Sequence, residues 1–178
     1  MRTLIAVGLL ACAVATGSLA DKSNVSRAML EQVESRLEPR FMAIWPQDPV
    51  DVVGAAQSVY INGYGAVFMS RVNLAPAAGI TPFHPSIQPE EIKRTHEKKV
   101  QRMQQLRTAM RSMLADAAAS LDSVPADEQI TLGVSLFYWN WENHDGLPNQ
   151  IVMHAPKKML LAAKTGAANP ASITADEY

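Results

Sequence analysis

From Pro89 to Leu121 the chain repeats apolar residues at three- and four-residue steps, at Val100, Met103, Leu106, Met110, Met113, Leu114, Ala117 and Leu121. That is the period of one helix face. Pro89 suits a first helical position, and Glu90 and Glu91 in the same turn complement the positive end of the helix dipole. The spacing predicts one long helix as the spine of the fold, and the remaining segments have to cover its stripe.

Those segments read as follows. Val25, Met29, Val33 and Leu37 fall four apart, with Leu30 beside them, which predicts an amphipathic helix stopped by Pro39. Residues 39–56 carry three prolines and are expected to be an irregular connection anchored by Phe41, Ile44 and Trp45. Asn62-Gly63 suits a type I′ turn, so strands over 58–61 and 64–74 should pair as a hairpin, with Phe68, Val72 and Leu74 on the more apolar side. Residues 75–89 hold four prolines and a glycine, a long loop of the kind that is either mobile or functional. Ile130, Leu132, Val134, Leu136 and Tyr138 alternate along a strand over 130–141, with Thr131, Gly133, Ser135, Phe137, Trp139 and Trp141 on its other face. A turn, a second strand and a short helix ended by Gly166 follow, and the small, polar tail 167–178 is expected to be disordered. The fold class is therefore α+β, in two layers, with an antiparallel or mixed sheet of about four strands packed on the long helix and an N-terminal helix beside it.

The first twenty residues set where such a domain works. Arg2, an apolar run over 4–15 and small residues ending Ser18-Leu19-Ala20 have the layout of a secretory leader. Cleavage after Ala20 leaves one domain over 21–166 and an exported protein, periplasmic or extracellular. A lipid anchor at Cys12 is disfavoured because the apolar run continues past it. The leader also contains the single cysteine, so the mature chain has neither disulfide nor thiolate chemistry. The whole chain has 16 Lys plus Arg against 17 Asp plus Glu; without Arg2 the balance is 15 against 17, which gives no pull toward nucleic acid.

The densest chemistry lies in FYWNWENHDGLP, residues 137–148. Phe137, Trp139 and Trp141 lie off the core face of their strand. They are either covered by a second layer, the long helix taking one face and the N-terminal helix with the proline-rich loop the other, or they form a ligand cleft. In the second case Glu142, His144 and Asp145 would supply polar contacts to a glycan or peptide. A small hydrolase using Glu142, His144 or Asp145 as acid and base is the catalytic alternative; it requires His144 within reach of a carboxylate inside a pocket. On the long helix, Arg94, Lys98 and Arg102 follow four-residue steps within a basic stretch over 93–111, a stripe that suits an anionic surface, an acidic partner or ordinary solvation.

Other chemistries find little support. His84, His96, His144 and His154 lack metal-site spacing, and the HExxH pattern is not completed at His96. Met103, Met110 and Met113 could offer soft ligands, but they sit at core spacing. There is no GxSxG elbow, and GYGAVF at Gly63 is not a phosphate loop, so no cofactor is expected. The leading expectation is a non-catalytic binding or assembly module of the cell envelope, with an envelope protein, a glycan or an anionic surface as partner.

Overall fold

The computed structural model describes residues 25–77, 79–80, 82, 86–167, 169 and 173–178. The segment read as a leader, with Cys12, and also His84 lie outside them. In chain order the elements are α1 (Arg27–Ala43), β1 (Asp51–Val52), β2 (Gln57–Ile61), β3 (Gly65–Asn73), α2 (Pro89–Ser120), β4 (Gln129–Leu136), β5 (Gln150–Pro156), α3 (Lys157–Lys164) and β6 (Thr174–Glu177). They make an α+β fold with one mixed sheet ordered β1-β3-β4-β5-β6, and β2 pairs with β3 beside β1. β3 and β4 run parallel, joined through α2, while the other pairs are antiparallel.

Among the described residues six strands replace the expected four. The two extra ones, β1 and β6, are two and four residues long and carry no hydrophobic alternation of their own. They exist because a longer neighbour offers its open edge, β3 to the first and β5 to the second. The C-terminal residues are thus corrected from disordered tail to edge strand over Thr174–Glu177, and Arg107 on α2 clamps Glu177 with two hydrogen bonds of 2.6 and 2.9 Å. Tyr178 extends the pairing by donating to Gln150 O and accepting from Asn149 N.

Pro39 does not end α1, which continues to Ala43. The last turn holds Phe41, fully buried in the core, and Arg40, 2.6 Å from Asp116 of α2. Packing of that turn offsets the hydrogen bond that proline cannot make. The 62–64 turn also departs from expectation: among these residues only Gly63 has positive φ, 80°, and Tyr64 N donates to Ile61 O. One left-handed residue at the third turn position is the type II pattern, not I′.

The core is one cluster. Phe68 and Val72 from β3, Ile130, Leu132 and Val134 from β4, Ile151 and Met153 from β5, Leu30, Val33, Leu37 and Phe41 from α1, and Met103, Leu106, Met110, Met113 and Leu114 from α2 all belong to it. Met103, Met110 and Met113 are buried core, the role their spacing favoured. The long stripe holds except at its start, where Val100 is 48% exposed and its neighbours Lys99 and Arg102 are buried instead. Residue 99, not 100, is in phase with 103, 106, 110 and 113. Two cations thus turn inward at the N-terminal half of α2, and what neutralises them builds the site described next.

Candidate functional site

β4 ends at Leu136, five residues short of the strand expected over 130–141. Phe137 N still donates to Val72 O of β3 at 2.9 Å, but the chain then leaves the sheet and turns through residues 140–147. The cause is a buried ion pair. Lys99 and Glu142, each with a side chain only 1% exposed, contact one another directly. Lys99 Nζ also donates to Phe137 O at 2.9 Å and lies 4.6 Å from the centre of the Tyr138 ring. The second Glu142 oxygen accepts from Trp139 N at 3.1 Å. One lysine and one glutamate therefore satisfy backbone groups that a continuing strand would have used.

Three further contacts hold the same turn. His96 Nδ1 lies 3.0 Å from Asn143 O, Tyr138 donates its hydroxyl to Pro148 O at 2.8 Å, and Asp145 N donates to the Asn143 side chain at 2.8 Å. Burial, with the nearby Glu142 charge adding to it, pushes the Tyr138 phenol well above its ordinary range. Burial pushes the Lys99 ammonium below the ordinary lysine value, and Glu142 works against that shift.

The six aromatic-stretch candidates consequently part company. Glu142, a candidate ligand group, lies buried and is paired with Lys99. His144 and Asp145 are exposed on the turn, and among the described residues no hydrogen bond or ion pair joins His144 to a carboxylate. Trp141 is half-buried, and its indole N–H is enclosed without a partner among the described residues. The half-buried Phe137 and the exposed Trp139 stay together, ring centres 5.0 Å apart and planes at 86°, an edge-to-face pair. Trp139 is 39% exposed. A Cβ on Gly79 would sit 3.8 Å from its indole, so the proline-rich segment passes beside the ring. Arg71 of β3, which the sequence reading did not single out, places its guanidinium 5.4 Å from the centre of the Phe137 ring.

This pair belongs to the sheet face that points away from the core. Val59 and Ile61 of β2 lie on that face and are 50% and 48% exposed, so the expected second cover is not provided there by the described residues. Next to the aromatic pair, Val53, Gly54, Ala55, Gln57, Met69, Ser70, Arg71 and Ser135 line a depression of about 460 Å³, within the size range of ligand clefts.

The basic stripe is not a free cationic face. Arg102 is buried, donating to Leu74 O, to Asp48 O at 2.7 Å and to the Asp48 carboxylate at 2.6 Å, with its guanidinium 4.8 Å from the centre of the Trp45 ring. Lys98 pairs with the same carboxylate, and that hydrogen bond, with Arg102 adding to it, holds Asp48 below the usual range. Of the three candidates only Arg94 is exposed. The stripe instead anchors the irregular connection before β1. Sequence reasoning missed Lys99 and Asp48 because a cation in phase with a core stripe looks like an interruption of it.

Among the described residues no group of three or more histidine, cysteine or acidic side chains could hold a metal ion, and no helix is long and apolar enough to cross a membrane. No protein-family model, no curated protein and no solved structure matches the chain.

Proposed function

We propose that this protein is an exported, non-catalytic module that binds carbohydrate on the outward face of its sheet, with Trp139 and Phe137 as the stacking platform. The observation that carries the reading is an exposed indole on a turn locked from beneath. Trp139 is 39% exposed, yet its backbone N–H is tied to the buried Glu142, which is tied in turn to Lys99. Keeping a large apolar ring in water is unfavourable, and fixing it there in advance lowers the ordering cost when a flat apolar surface docks. The face of a sugar ring is such a surface, and it brings hydroxyl groups that neutral side chains can pair. The leader read at residues 1–20 puts the module where envelope glycans are found.

A hydrolase near Trp139 to Asp145 is disfavoured by the same geometry. Glu142 is spent on Lys99, and His144 and Asp145 stand exposed without a shared pocket. Acid–base work needs its groups converging on one substrate atom.

Titration of the mature protein with neutral N-acetylglucosamine oligomers, followed by tryptophan fluorescence and calorimetry, tests the proposal. Trp139→Ala should reduce affinity about tenfold or more, the loss of roughly 1.4 kcal/mol, with the variant still folded and its unfolding midpoint only modestly lowered by the lost contact with Phe137. Equal affinity of the variant, or no binding across a panel of envelope glycans by the folded wild type, would sink the reading.

A further inference from the structure

The depression beside the aromatic pair has an architectural origin. β1 and β2 are two parts of one broken edge strand against β3. Val52 pairs with Val72, and Val53 N continues that register by donating to Arg71 O at 2.8 Å, whereas Gln57 pairs with Met69. Three residues, Gly54, Ala55 and Ala56, therefore stand opposite the single Ser70. The slip is even, so both halves keep the same outward face, and the excess chain bulges from the edge through Gly54, whose φ of 80° favours glycine. Bulges of this kind interrupt pairing and re-aim side chains next to binding sites.

What the break leaves open is chemically specific. Arg71 is exposed, lines the depression and has no acidic partner among the described residues. Ser135 is paired with Arg71 in the sheet register, so its hydroxyl is on the same face, and the Gln57 amide lies one pair further along. Ser70 borders the depression through its backbone; its side chain, opposite the core residue Val134 in the register, turns to the buried face and offers the notch nothing. Val53, Ala55 and Met69 supply apolar wall. No acidic side chain is among the lining residues, and Arg71 is the single cation.

We propose that this notch seats the carboxylate of an acidic sugar, so that the ligand of the module is a uronate-bearing glycan: Arg71 holds the carboxylate and Phe137 and Trp139 carry a neighbouring ring. The assignment deepens the carbohydrate reading above and rests on it. A planar guanidinium fork matches a carboxylate through two parallel hydrogen bonds. A phosphate dianion would call for more than one cation or a nest of backbone donors, which the lining lacks. Arg71 lies between the two parts of the site, lining the notch while facing the Phe137 ring. A glycan bridging them thus meets charge and stacking one after the other.

The test compares galacturonic acid oligomers with the same oligomers methyl-esterified, which removes the charge and the paired carboxylate oxygens while keeping the sugar rings, against the mature protein at constant ionic strength. The free acid should bind roughly ten- to hundredfold more tightly, the size of a charge-assisted pair of hydrogen bonds. Arg71→Gln should abolish that preference, so that acid and ester bind alike, with Arg71→Lys intermediate because it keeps the charge and loses the fork. Equal binding of acid and ester, a preference that survives Arg71→Gln, or no binding of either by the folded protein overturns the proposal. The two readings separate in the controls. Neutral oligomers that bind through Trp139 without an acid preference leave the platform standing and remove the notch. Galacturonate that shifts the Arg71 side-chain NMR signal in Trp139→Ala leaves the notch standing and removes the platform.

Discussion

Replacing Lys99 by methionine should be among the most damaging single changes in the domain. The two side chains are each 1% exposed, and Lys99 neutralises Glu142 while satisfying Phe137 O. Methionine fits the volume but leaves a carboxylate buried with one backbone donor, Trp139 N. Removing one partner of such a pair costs about 3–5 kcal/mol. With a slope of about 2 kcal/mol per molar urea, the unfolding midpoint should fall by roughly 1.5–2.5 M. The double variant Lys99→Met with Glu142→Gln removes the stranded charge, and the amide oxygen still accepts from Trp139 N. It should therefore recover part of the loss, with a coupling energy of about 1–3 kcal/mol. Urea unfolding by far-UV circular dichroism, with tryptophan fluorescence as second probe, measures all three proteins against wild type. A single-variant loss below about 1 kcal/mol, or strictly additive losses, would refute the reasoning, since exposed pairs behave that way.

Two more predictions concern cations used structurally. Lys157, the first residue of α3, donates to Leu121 O, Asp122 O and Val124 O at 2.7, 3.0 and 2.8 Å, closing a helix α2 that has no basic residue in its last turn. Lys157→Met should cost about 2–4 kcal/mol by stranding these acceptors; a change under 1 kcal/mol in the same urea assay would count against that role. Arg107 holds Glu177 below its ordinary value of 4.5 by hydrogen bonding, with its charge adding to the effect. A carboxylate depressed in the native state contributes stability that is fully present above 4.5 and is lost as pH falls through the depressed value. Arg107→Gln should accordingly lower the urea midpoint at neutral pH and match wild type at a pH well below 4.5; a gap that stays constant with pH would show that the pair does not carry it.

Much of the fold was legible because periodicity reports burial directly. Val100 apart, the α2 stripe, the α1 face and the apolar side of β3, β4 and β5 turn inward, as the period of each element requires. Short edge strands escaped notice because two to four residues carry no period; β1 and β6 form only where β3 and β5 offer unpaired edges. Pro39 misled for a related reason, since local propensity said stop while burial of Phe41 held the next turn.

The site divides along the same line. Residues 137–148 already concentrate aromatic and polar groups in sequence, and nothing more than composition is needed to notice them. Which of them face water is a tertiary matter. Glu142 is drawn inward by Lys99, 43 residues away, Trp139 stays at the surface above it, and Arg71 reaches the Phe137 ring from a different strand. Sequence by itself determined the long helix and the strand faces, because those follow from local spacing. Only the tertiary structure decided which charges were buried and where the edge strand broke, because both depend on partners that the chain brings together from far apart.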